Sequence, residues 1–235
     1  MLPADLISGN DLPESEILDA VEVATIRVLT SALRVTVSVT LNEQMRITAY
    51  PETGEPSVIP TEAIRRKLRR HLLHQIELEL QKRRTLTEAE RLKELRGNAA
   101  PGEITRIAAD GALVVTLEIA DCYRRLILAG ECPIRCQPLH ERGRYAIGSV
   151  KQFYITSIVP VMVKRRSSKV RILLSRTSKE LPRLLLQERS RISGIQCRKR
   201  IPGGYSNIVT PTRIPKDVIN AVGKELGEHL NVSLR

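Results

Sequence analysis

Thirteen of the 38 Lys and Arg side chains in this 235-residue chain lie between Lys164 and Arg200, a stretch of 37 residues that holds only two acids, Glu180 and Glu188. Cations at this density, with few counter-charges, suit a polyanion, because each phosphate contact releases condensed counterions. The bland alternative is a solvated face, but apolar patterning through the same stretch favours nucleic-acid binding. The expected phosphate-contacting set is Lys164, Arg165, Arg166, Lys169, Arg171, Arg176, Arg198, Lys199 and Arg200, with Lys151 just upstream. Base stacking needs aromatic faces, and the chain has one Phe and five Tyr. Phe153 and Tyr154 are neighbours on a predicted strand and point to opposite faces. Phe153 is read as core and Tyr154 as the stacking candidate, with Tyr123, Tyr145 and His140 nearby in the sequence. So small an aromatic set predicts salt-sensitive binding dominated by phosphate, with little sequence preference.

Other constellations are weaker. Cys132, Cys136 and His140 fall close together, but a zinc site wants four ligands in tighter pairs, and Cys122 and Cys197 each stand alone. His71 and His74 lie one turn from Glu77 on a predicted helix, without a further carboxylate cluster to complete a cation site. No metal and no cofactor are expected, and the cysteines are read as free thiols. The chain has no glycine-rich phosphate loop ending in Lys-Ser/Thr, no Gly-x-Ser-x-Gly elbow and no His-Glu-x-x-His helix. A carboxylate-based nuclease would have to use Glu180 and Glu188, which are spaced as helix-surface residues. No catalytic residue is assigned; the chain reads as a binding protein rather than an enzyme.

These side chains must be positioned by a folded scaffold. With 42% apolar residues, 13 Gly and 13 Pro, the composition excludes a collagen-like, low-complexity or wholly disordered chain. Ile155 to Val163, the longest apolar candidate, is interrupted by Thr156, Ser157 and Pro160 and is too short for a membrane span. The opening Met-Leu-Pro-Ala-Asp has no basic start or apolar run, so a cytoplasmic protein without a membrane partner is expected. Charge is unevenly spread. Residues 1–60 carry 3 basic and 9 acidic side chains, net −6, and residues 61–101 carry 11 and 6. Nucleic acid would repel the first segment, which is therefore expected to meet a protein.

The apolar spacing of Ile17, Val21, Ala24 and Val28 predicts a helix over Pro13 to Ser31. Alternation from Val35 to Leu41 and again from Met45 to Ala49 predicts a hairpin, and Pro51 to Pro60 reads as a linker. Ile64, Leu68, Leu72, Ile76 and Leu80 predict an amphipathic basic helix. Thr85 to Glu88 resembles a capping box opening a second, short helix that Gly97 to Pro101 stops. From Gly102 the period becomes two, and five strand candidates up to Leu174 predict a small barrel, most economically a five-stranded OB barrel. Beyond Ser178 the order read is helix, a hairpin about Pro202-Gly203-Gly204, a helix over Pro215 to Gly227, and a last strand over Leu230 to Leu234.

Ile172-Leu173-Leu174-Ser175-Arg176-Thr177, followed by Glu180-Leu181-Pro182-Arg183-Leu184-Leu185, resembles the junction between the ribosomal-protein-type barrel and the first KH domain of the bacterial NusA family. Pro202 to Val209 is similar to that domain's hairpin, Glu225 to Val232 to its closing helix and strand, and Tyr145-Ala146-Ile147-Gly148 to the approach to the fourth barrel strand. The resemblance covers the last 135 residues by motif and the first 100 by architecture alone. It implies an α+β multidomain chain: an acidic polymerase-binding-like helix-hairpin domain at 1–60, a basic helical connector at 61–101, an OB-fold RNA-binding barrel at 102–178 and a degenerate KH-like α/β module at 179–235. Pro215 to Gly223 runs straight into the closing helix, so the family's Gly-x-x-Gly loop and one of its helices are expected to be missing, and no second KH domain is expected.

By resemblance, the partners are RNA polymerase, nascent RNA and other transcription elongation factors, and the activity is control of elongation, termination or antitermination. Two other readings stay open: a free RNA-binding regulator of translation or RNA decay, and a truncated competitor of the full-length family member.

Overall fold

Along helix α1 (Glu14–Leu33) the residues that recur at helical spacing, Ile17, Ala20, Val21, Ala24 and Val28, are all buried. They pack against Leu72, Ile76 and Leu80 of helix α2 (Arg66–Leu92). In this computed structural model, residues 11–41, 45–121, 124–162 and 168–235 are described; among them are four α-helices and eleven strands in a mixed α/β architecture. Arg34 closes α1 in the left-handed conformation, φ 58°, and its N–H donates to the Thr30 carbonyl. The hairpin of β1 (Thr36–Leu41) and β2 (Met45–Tyr50) aligns Val37 with Ala49 and Val39 with Ile47. Its inner face joins Leu29 and Ile64 in a second small core.

Two expectations for this region need correction. The stretch read as linker contains β3 (Ser57–Ile59), which adds antiparallel to β2, pairing Thr48 with Val58. Three extended-favouring residues between Pro56 and Pro60 are enough to form a short edge strand. The second correction is that α2 runs unbroken through Thr85. The Thr85 hydroxyl donates to the Gln81 carbonyl four residues back, at 2.8 Å, instead of capping a new helix. A capping pattern starts a helix only where the ladder is already interrupted, and with no Gly or Pro before Gly97 nothing interrupts it.

The barrel strands are β4 (Ala99–Ile107), β5 (Leu113–Asp121), β6 (Arg124–Cys132), β7 (Val150–Val161) and β8 (Lys169–Ser175), and they close in the order β4-β5-β6-β8-β7. Neighbours are antiparallel at β4–β5, β5–β6 and β4–β7, and parallel at β6–β8. Ile104, Val115, Leu117, Phe153, Ile155 and Leu174 fill the interior. Gly102 permits the closure: a Cβ there would lie 2.4 Å from Val115 Cγ1 and 2.9 Å from Leu117 Cδ2. The first barrel strand starts at Ala99, three residues before the predicted change of period.

Behind the barrel come α3 (Glu180–Ser190), β9 (Gln196–Ile201), β10 (Tyr205–Thr210), α4 (Lys216–Leu226) and β11 (His229–Leu234). Central β10 is antiparallel to β9 and parallel to β11. Leu181, Leu185, Leu186, Val222 and Leu226 of the helices bury against Cys197, Ile208 and Leu230 of the sheet. By backbone contacts the chain forms two compact units, Met1–Arg91 with Pro160–Val170, and Leu92–Val159 with Arg171–Arg235. The barrel core and the α/β module therefore share one unit.

Candidate nucleic-acid interface

Within that unit, Arg176 leaves the end of β8 and points inward, its side chain 0% exposed. Nε and Nη2 donate to the two oxygens of Glu141, both at 2.6 Å. Nη1 donates to the Gln152 carbonyl at 2.8 Å and to Glu225 Oε1 at 3.3 Å, and Nη2 also donates to the Glu225 carbonyl at 3.0 Å. The guanidinium carbon lies 5.9 Å from the Phe153 ring centroid. Burial pushes the Glu141 carboxyl toward the neutral form, but the Arg176 hydrogen bonds and charge outweigh it and hold the pKa below the ordinary range. Tyr145 donates to Glu141 at 2.6 Å, and burial followed by that bond raises its phenol pKa. Arg176 thus ties a barrel loop, a barrel strand and α4 together. As an expected phosphate contact it is corrected, because no face of it meets solvent.

Arg200 needs the same correction. Its side chain is 1% exposed, and Nη2 and Nε hold Glu228, itself buried, at 2.7 and 3.1 Å, while Nη1 donates to the Ser178 carbonyl. Glu228 also accepts from the Ser206 hydroxyl and the Gly203 N–H. Tyr154 is half-buried and packs against the apolar core of the α/β module. Phe153 is buried in the barrel. Lys151 is half-buried on the Phe153 side of β7.

Lys169 and Arg171 are exposed, but Arg171 makes a two-pronged contact with Glu131 at 3.0 and 2.8 Å, and that hydrogen bond raises its pKa. Lys164, Arg165, Arg166 and Tyr123 lie outside the described residues. Cys132 is buried, its thiol pushed up to about 12 by burial and the neighbouring Cys136, while the His140 ring sits against Gly203 and Gly227. Among the described residues no group of three or more His, Cys, Asp or Glu is disposed to hold a metal ion.

Arg198 and Lys199 remain exposed on β9, an edge strand. Arg198 lines an open cleft of about 460 Å³ between the start of α3 and β9, together with Lys179, Arg183, Gln187 and Gln196. The one carboxylate in its lining, Glu180, is held by Arg183, which also donates to Gln187 at 2.6 Å. Exposed Lys179 and Arg198 thus line the cleft together with the amides of Gln187 and Gln196, a lining that complements a phosphodiester. Lys179 and Arg183 belong to the basic stretch but not to the expected contact set; their position one turn apart at a helix start, beside a cationic edge strand, is the signal that marks them.

No protein-family model and no curated protein sequence matches the chain. Among the described residues no helix is long and apolar enough to cross a membrane.

Proposed function

We propose that this chain is a NusA-like transcription elongation, termination or antitermination factor, which binds RNA polymerase through its acidic first segment and nascent RNA through its second unit. The observation that carries the reading is a succession. A closed barrel with the strand order first-second-third-fifth-fourth and a parallel third-fifth pair is compatible with an OB fold, and an αββαβ module follows it without a linker. That is the order the sequence resemblance implies. A single helix, α4, between β10 and β11 is in keeping with a KH-like module that has lost its Gly-x-x-Gly loop. RNA contact then rests on the cationic cleft of Lys179 and Arg198, on a barrel and module that Arg176 holds as one body. Holding RNA beside polymerase raises its local concentration and biases whether a pause hairpin forms.

The test is co-elution with core RNA polymerase in size-exclusion chromatography. Deleting residues 1–60 would strip α1 from the core it shares with α2, so the informative variant reverses charge at exposed Glu14, Glu52 and Glu55. Co-elution of the wild type and its loss on Glu→Lys substitution at these three positions support the reading. A wild type that does not co-elute, or a variant that co-elutes unchanged, counts against it.

A further inference from the structure

The helices of the α/β module cover one face of its sheet and leave the other open. Cross-strand register arranges that open face in three rows: Ile201, Tyr205 and His229; Lys199, Asn207 and Asn231; and Gln196, Val209 and Ser233. Register partners project to the same side, and the buried alternates Cys197, Ser206, Ile208 and Leu230 lie on the helix side. Ile201 is 43% exposed, Lys199, His229 and Asn231 are exposed, and Tyr205, Asn207 and Val209 of the central strand are half-buried. The three six-residue strands contain no Asp or Glu. Glu228, immediately before β11, has its side chain buried with Arg200 and Ser206. Tyr205 sits in the central strand with the Lys199 ammonium 5.6 Å from its ring centroid, and Asn231 donates to Asn207 at 3.1 Å beside it.

We infer that this open sheet face is a second nucleic-acid site, on which a base of single-stranded RNA stacks on Tyr205. The inference rests on the RNA-binding reading above but uses a different surface from the α3–β9 cleft. The chemistry selects the occupant. A phenol ring offers its π face to any base, the Asn207–Asn231 amides supply donors and acceptors for a base edge, and Lys199 meets a phosphate. A protein partner would find little apolar surface on the face, Ile201, Val209 and the Tyr205 ring, from which to build an interface core. On binding, the base takes the place of the Lys199 ammonium over the ring, and that ammonium moves to the backbone.

The test uses the full chain and a fluorescein-labelled octauridylate, followed by anisotropy. Tyr205→Phe keeps the ring and should bind within about twofold of the wild type. Tyr205→Leu keeps apolar bulk but loses the π face, and should weaken binding about tenfold with unchanged thermal melting. Crosslinking of the wild type to a 4-thiouridine octamer gives a readout that does not depend on a variant's folding, and should label the tryptic peptide spanning 201–213. Wild-type affinity in Tyr205→Leu, or crosslinks confined to other peptides, overturns the sheet site while leaving RNA binding intact. Absence of any salt-sensitive binding by the wild type overturns the RNA reading and this inference with it.

Discussion

The guanidinium of Arg176 carries five N–H donors, and five acceptor contacts meet them while the arginine side chain itself has no exposed surface. Removing one side of such a pair leaves the other charge buried without compensation, so Arg176→Ala should cost about 3–5 kcal/mol in urea unfolding. Arg176→Lys should recover little of this, since an ammonium cannot reproduce the two-pronged contact with Glu141. The pH dependence follows from the sign of the Glu141 shift. Its folded pKa is depressed below the ordinary 4.5, so its contribution is present in full above the unfolded value and is lost as pH falls through the folded one. Urea midpoints measured from pH 7 down to pH 3 should decline below about 4.5, and Glu141→Gln should flatten that part of the decline while lowering stability at pH 7. An unchanged acid limb in Glu141→Gln would mean that other carboxylates govern it. Neither ion pair was legible in the sequence. Arg176 finds its carboxylates 35 and 49 residues away, and Arg200 finds Glu228 28 residues away. A local charge count treats both as free cations, because nothing within a few residues neutralises them.

At the scale of elements, local periodicity was informative and long-range docking was not. The spacing of Ile17 to Val28, the alternation of Val37, Val39 and Ile47, the strands of the barrel and the αββαβ order all follow from which side chains must share a face. Continuity of α2 through Thr85 was missed because a capping motif is a local pattern whose meaning depends on the ladder around it. The docking of the β6–β7 loop on the α/β module was equally hidden, since its key contact is a side chain on two glycines. His140 rests against the Gly203 turn, φ +79°, and the Gly227 cap of α4, φ +64°, and a Cβ at Gly203 would stand 2.0 Å from its Nδ1. Gly203→Ala therefore combines left-handed strain, about 1–2 kcal/mol for a residue with a Cβ, with a clash. His140→Ala relieves the clash and leaves the strain. In a double-mutant cycle Gly203→Ala should be less destabilising in the His140→Ala background, with a coupling of at least about 0.5 kcal/mol. Additive effects would show that His140 is not seated on the turn.

For the whole molecule, a net charge of +12 says less about RNA than the fate of individual cations does. Arg171, Arg176, Arg198, Lys199 and Arg200 all belong to the same basic stretch, yet the fold sorts them. Arg176 and Arg200 are internal counter-ions, Arg171 is engaged by Glu131 at the surface, and Arg198 and Lys199 stand exposed on β9. Only a cation that exchanges solvent counterions for phosphate changes the salt dependence of binding, by about 0.7 in the slope of log K against log salt for each phosphate on a single strand. Titrations of the octauridylate at salt concentrations from about 50 to 200 mM should therefore show the slope falling by about 0.7 in Arg198→Ala and again in Lys199→Ala, with Arg171→Ala leaving it unchanged. Tyr205→Leu should lower affinity equally at every salt concentration, because stacking releases no ions. A slope that falls equally for all three cations would mean that the basic stretch acts as a diffuse charge cloud. A slope that responds to Arg198 and Lys199 alone would mean that the fold, by burying some cations and pairing others, defines where the phosphates lie.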